Sequence, residues 1–80
     1  MAEELKNTLK VQRAIKDFTQ ADLAERAGVT RKSVNAIETG RMVPSVLLAL
    51  RLAGALEVPV ETIFRLDPDG HGRKETGEES

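Results

Sequence analysis

The sequence predicts a small all-α domain, and three observations carry that prediction. Its apolar residues are mostly Leu, Val, Ile and Ala, with Phe18 and Phe64 the only aromatics in 80 residues, a composition suited to a small helical core rather than a strand-rich sandwich. Apolar residues recur at three- and four-residue intervals, the period of a helix. Thr19 with Gly28, and Thr30 with Gly40, then bracket two short runs as cap and stop, and Ser45 caps a third.

The elements follow in order. Leu5, Leu9, Val11, Ala14 and Ile15 return at roughly helical spacing, which predicts a first helix over residues 3–16. Thr19 opens a second, because its hydroxyl suits an N-cap and Asp22 three residues later completes a T-x-x-D capping box. Leu23, Ala24 and Ala27 form its narrow apolar stripe, and Gly28 closes it after about two turns. Thr30 caps a third helix that runs to about Thr39 and stops at Gly40. Beyond the loop Arg41-Met42-Val43-Pro44, Ser45 caps a fourth, through about Leu56. This helix is apolar nearly all round, as a central helix would be, or one covered on one side by another chain. Pro59 breaks it, and Val60 to Phe64 make a last short turn. The stretch DPDGHGRKETGEES is polar and without periodicity, so residues 1–66 read as the domain and 67–80 as a disordered polar tail.

The totals restrict function. With no cysteine, disulfides, thiolate metal sites and thiol chemistry are excluded. The single histidine, His71, lies in the tail, the carboxylates are scattered, and neither a phosphate-cradling loop nor a metal-spaced cluster occurs, so no catalytic site, metal or cofactor is expected. Glu3, Glu4, Lys6 and Lys10 occupy the N-terminus where a signal peptide needs an apolar core, and no run reaches membrane-spanning length; a cytoplasmic protein without membrane contact is expected. A core this thin would gain from a second subunit. The net charge of -1 conceals an asymmetry: Leu5 to Arg41 holds eight Lys/Arg against four acids, whereas Met42 to Ser80 holds four against seven. Local charge, more than the total, decides whether a surface attracts phosphate. A basic helix face that is merely solvated has the same composition.

The third helix decides between these. On a wheel of about 100° per residue, Arg31, Lys32, Asn35, Ala36 and Thr39 share one arc of roughly 140°, while Val34 and Ile37 lie on the other. Such a helix can be moored from one side while the other enters the major groove. There Arg and Lys donate to guanine O6/N7, Asn pairs with adenine N6/N7, and the alanine methyl touches a thymine methyl. An ordinary amphipathic helix shares the same wheel.

The spacing adds what the wheel lacks. Counting from Gln20, Ala24 stands fifth, Gly28 ninth, Val29 tenth, Val34 fifteenth and Ile37 eighteenth, a pattern that lets two helices cross at an alanine and turn at a glycine over a wedge of aliphatics. Through "TQADLAERAGVTRKSVNAIETGR", followed in order by "PSVLLALRLAGALEVPVETIF", the sequence resembles the Cro/phage-repressor-type helix-turn-helix regulators, especially their small single-domain bacterial members. The resemblance spans roughly Asn7 to Arg65. It implies a five-helix DNA-binding domain with the helix-turn-helix unit at about 19–39. It also implies base-reading roles for Arg31, Lys32, Asn35 and Ala36, and phosphate contacts from Gln20, Thr30, Ser33, Thr39, Arg41 and Arg13. Ala24, Gly28, Val29, Val34, Ile37 and Glu38 are the structural positions. Capping or solvation is the plainer role for Gln20 and Thr39. Arg13 and Glu38 match a pair that bridges the first and third helices in many relatives; as a surface pair it would contribute about 0–1 kcal/mol and serve orientation.

Three departures from the family pattern stand out. Glu57 stands where a glycine commonly ends the fourth helix. Gln12 and Val11 exchange the usual apolar and polar positions, which leaves the inner face of the first helix open. Leu47 replaces a polar residue, and with Met42, Val43 and Val46 it suggests either a subunit contact or a larger private core. The function implied is a sequence-specific regulator, most simply a repressor, that binds double-stranded DNA as a homodimer. The competing reading is an antitoxin-like interaction module of the same fold that binds a partner protein through its acidic tail or fourth helix.

Overall fold

Most of the predicted caps and stops form. The computed structural model describes residues 4–67 and orders them as β1 (Glu4–Asn7), α1 (Leu9–Ile15), α2 (Gln20–Ala27), α3 (Arg31–Glu38), α4 (Val46–Leu56), α5 (Val60–Ile63) and β2 (Phe64–Asp67). Thr19 makes the full capping box with Asp22 at the start of α2, and Thr30 and Ser45 accept from Ser33 N and Leu48 N at the starts of α3 and α4. These bonds satisfy backbone donors that the first turn of a helix leaves without partners.

The two strands correct the all-α expectation. Residues predicted as the start of the first helix form β1 instead, antiparallel to β2 with Glu4 opposite Asp67 and Asn7 opposite Phe64. The cause is long-range bonding. Asn7 Nδ2 donates to Ile37 O at 3.0 Å, Thr8 N to Ile63 O at 2.8 Å, and Thr8 Oγ1 to Thr62 O at 2.8 Å. The chain before α1 is thereby fastened to the ends of α3 and α5, and Asn7 Oδ1 accepts from Leu9 N to start α1. Phe64 leaves the predicted last turn for β2. Asp67, the first residue of the polar tail as the sequence delimits it, closes β2 and is buried; residues 68–80 lie outside the described ones.

Leu9, Leu23, Val34, Ile37, Leu52, Leu56 and Ile63 form the core, each less than 2% exposed. Ala24, Ala27 and Ala53 are buried where the helices approach. On α1 the inner face is Leu9 with half-buried Gln12 and Arg13, whereas Val11, Ala14 and Ile15 face outward. The stripe read from Val11 and Ile15 is therefore the wrong face, because the polar partners of Arg13 select the other. On α4 only Leu52, Ala53 and Leu56 are buried. Val46, Leu47 and Leu50 are more than half exposed, so the helix is not central.

Candidate nucleic-acid interface

The corner between α2 and α3 is made by backbone chemistry. Gly28 takes the left-handed conformation at φ 71°, and Val29 N donates across it to Ala24 O at 3.0 Å. This wide closure satisfies a carbonyl that the end of α2 leaves free. From α4, Arg51 Nη1 adds a bond to Gly28 O at 3.2 Å, a contact no local sequence pattern announces. Val29 packs against the core below the turn. Buried Val34 and Ile37 then seat α3.

The opposite arc of α3 is open. Arg31, Lys32 and Asn35 are exposed, Ala36 is half-buried between them and the core side, and Thr39 and Arg41 are exposed just beyond the helix. Arg31, Lys32 and Arg41 form no salt bridge among the described residues. Three free cations therefore border one helix end to end, while the carboxylate of Glu38 is taken up by Arg13. Thr39 Oγ1 donates to Asn35 O at 2.9 Å, and Thr30 Oγ1 donates to Ser33 Oγ at 2.9 Å while accepting from Ser33 N. These three hydroxyls sit at the two ends of α3, partly committed to its own backbone.

A polar chain links α1, α2 and α3 behind this arc. Arg13 Nε donates to Glu38 Oε2 at 2.7 Å and Nη2 to Glu38 Oε1 at 3.2 Å, while Nη1 reaches Phe18 O at 3.0 Å. The two side chains are 17% and 5% exposed, so the pair is not the weak surface bridge that sequence reasoning values it as. Half-buried at Arg13, nearly covered at the Glu38 carboxylate and bidentate, it approaches the class in which loss of one partner strands the other charge. Three of the five guanidinium donors of Arg13 are used inside the molecule, which makes it first a positioning residue. Gln20 continues the chain: its Nε2 donates to Glu38 Oε1 at 3.0 Å and to Asn35 Oδ1 at 3.2 Å. Gln20 thus stands between α2 and α3 with its amide directed at the exposed arc of α3. Asn7, holding the carbonyl of Ile37, is a supporting residue that the sequence does not reveal, because its partner is thirty positions away.

A pair of short helices joined by a glycine corner, with the second moored beneath and cationic outside, defines the helix-turn-helix class. The helix-turn-helix family model matches residues 9–63, and the chain belongs to that family. An uncharacterized HTH-type transcriptional regulator of Methanocaldococcus jannaschii is 43% identical over 65 residues, spanning 81% of this chain and 98% of that protein. The uncharacterized HTH-type transcriptional regulator YgzD of Bacillus subtilis matches to the same extent, 43% over 65 residues, with 81% and 98% covered. Among solved structures, the restriction-modification controller protein C.AhdI of Aeromonas hydrophila superposes with a TM-score of 0.66 at 31% identity, covering 68% of this chain and 82% of that one. No helix among the described residues is long and apolar enough to cross a membrane.

Proposed function

We propose that the chain is a sequence-specific DNA-binding transcriptional regulator that lays α3 in the major groove as one half of a homodimer. The observation that carries this is the open arc of α3, where exposed Arg31, Lys32 and Asn35 project from a helix whose other side is locked by Val34 and Ile37. Arg31, Lys32, Asn35 and Ala36 read base edges; Arg41, Thr39, Thr30, Ser33 and the α2 start at Gln20 face the sugar-phosphate backbone. Membership of a family whose relatives are named transcriptional regulators supports the same reading.

A second copy is the natural occupant of the exposed apolar face beside α3. Val43, Val46, Leu47 and Leu50 are 74%, 76%, 60% and 56% exposed, and Val46, Leu47 and Leu50 share one side of α4 by helical spacing. Joined there by a two-fold axis, two protomers present their recognition helices to successive major grooves about 34 Å apart. The regulator then acts most simply as a repressor, by occupying a near-palindromic operator.

Selection of bound duplexes from a random pool tests the reading. A two-fold-related motif is expected, with affinity falling steeply as salt rises because neutralised phosphates release counterions. Arg31→Ala should relax base preference at one position of each half-site, at a cost of about 1–3 kcal/mol. Enrichment of no motif at any salt would sink the proposal. A different small protein bound stoichiometrically to the α4 face would instead favour the interaction-module reading.

A further inference from the structure

The polar chain behind α3 has a direction. Glu38, 5% exposed and held by the two-pronged bond from Arg13, offers only acceptor oxygens. The Gln20 group that meets it must be the amide nitrogen, as the 3.0 Å contact shows. That nitrogen also meets Asn35 at 3.2 Å, so the Asn35 atom turned toward it must be the carbonyl oxygen. The Asn35 Nδ2, with no partner among the described residues, is left on the exposed side of α3.

We infer that the shielded Arg13–Glu38 pair, acting through Gln20, sets the hydrogen-bond polarity of Asn35, so that this residue meets the groove as a donor and rejects cytosine. The inference rests on the DNA-binding reading of α3. That polarity removes the freedom of an unbiased amide, which could turn either end to a base. With its oxygen turned to α2, Asn35 suits the acceptors of guanine (O6, N7), thymine (O4) and adenine (N7), and faces cytosine, whose groove edge offers only the N4 amine, as like to like. Arg13, Gln20 and Glu38 are then specificity-determining residues that need touch no base. The orientation of an amide is free in water, where both ends find partners. Here a buried charge fixes it, because reversing Gln20 would set its carbonyl oxygen against a carboxylate.

The experiment uses the full chain and random-pool duplex selection on wild type, Asn35→Ala and the charge-conserving double variant Gln20→Glu with Glu38→Gln. Asn35→Ala locates the position, as the one whose preference disappears. In wild type that position should exclude cytosine, disfavoured against the other three bases by about tenfold. In the double variant the amide and the carboxylate change places. The amide now on α3 donates to the carboxylate now on α2, that carboxylate accepts from Asn35 Nδ2, and the oxygen of Asn35 turns outward. There guanine and thymine should become disfavoured and cytosine accepted, on top of a weaker overall affinity because residue 20 faces the phosphates. Cytosine still excluded in the double variant, cytosine preferred in wild type, or no effect of Asn35→Ala would each overturn the inference and leave DNA binding standing. Failure of wild type to enrich any motif would instead remove the DNA-binding reading beneath it. Should the double variant fail to fold, NMR of the free wild-type chain decides. Coupling through the hydrogen bond from Gln20 Nε2 to the Asn35 carbonyl supports the assignment, and coupling from Asn35 Nδ2 to the Gln20 carbonyl overturns it.

Discussion

At Glu38 a single carboxylate sits almost sealed, with the guanidinium of Arg13 on one side and the amide of Gln20 on the other. Removing the guanidinium leaves a buried charge with one neutral donor, a costly state in a medium that solvates ions poorly. Arg13→Ala should therefore lower stability by about 3 kcal/mol or more, seen as a fall in the urea midpoint. Arg13→Lys, which restores charge but not the two-pronged geometry, should fall between the two. A loss below about 1 kcal/mol for Arg13→Ala would place the pair among ordinary surface bridges. Gln20 was legible in the sequence as the first residue of α2, but not as the residue that orients Asn35. One-dimensional spacing gives the face on which an amide lies and is silent about which of its ends is bonded.

Four helices in this small domain close in the same way. Asp17, Gly28, Gly40 and Glu57 are all left-handed, at φ 61°, 71°, 78° and 60°. Phe18, Val29, Arg41 and Val58 then donate back to Arg13, Ala24, Ala36 and Ala53. Glycine accepts this conformation freely, whereas a Cβ costs about 1–2 kcal/mol. Glu57 answers the departure noted in the sequence: the corner closes in the usual geometry without the usual residue. Its side-chain partner, Lys16 at 3.4 Å, belongs to an exposed pair of little weight. Glu57→Gly should consequently stabilise the fold by about 0.5–1 kcal/mol. Gly28→Ala should destabilise it by about 1 kcal/mol through backbone strain alone, since the nearest atom to an added Cβ is Arg51 Nη1 at 3.9 Å. Thermal unfolding of both variants checks the pair of signs.

The opposite end of α2 carries a pH dependence. The Thr19 backbone N–H, then its hydroxyl and the nearby Arg26, hold the Asp22 carboxyl below its ordinary value of 3.8. The folded state thus binds that proton more weakly than the unfolded chain does. Asp22 stabilises the fold at neutral pH, and its contribution is lost as pH falls from about the ordinary carboxylate value through the depressed one. Urea unfolding of Asp22→Asn against wild type should show a stability difference that is widest near pH 7 and narrows toward acid; a difference constant across that range would contradict the assignment.

For the molecule as a whole, two features lie beyond local periodicity. The β1–β2 clasp ties the start of the described chain to its end, and the exposed face of α4 leaves Val46, Leu47 and Leu50 in water. A lone two-stranded sheet is marginal in water, so the clasp persists here because Asn7 and Thr8 anchor it to α3 and α5. The α4 face belongs to the scale of assembly. In the proposed dimer, Leu47→Glu buries a charge at the subunit contact and should raise the dimer dissociation constant by tenfold or more, measured by sedimentation. Operator affinity should fall with it, while the helical circular dichroism signal stays. A variant that is monomeric yet binds the operator as tightly as wild type would separate DNA recognition from this face.

The sequence by itself determined the helix-turn-helix: the capping box, the glycine corner, the mooring aliphatics and the cationic arc are all encoded within about twenty residues, and backbone sterics and helical period are local properties. Tertiary structure alone decided that residues 4–7 pair with 64–67, that α1 turns Arg13 rather than Val11 inward, and that Asn35 presents its nitrogen. Each of those outcomes depends on a hydrogen bond or ion pair between distant segments, whose energy exists only once the chain has brought them together.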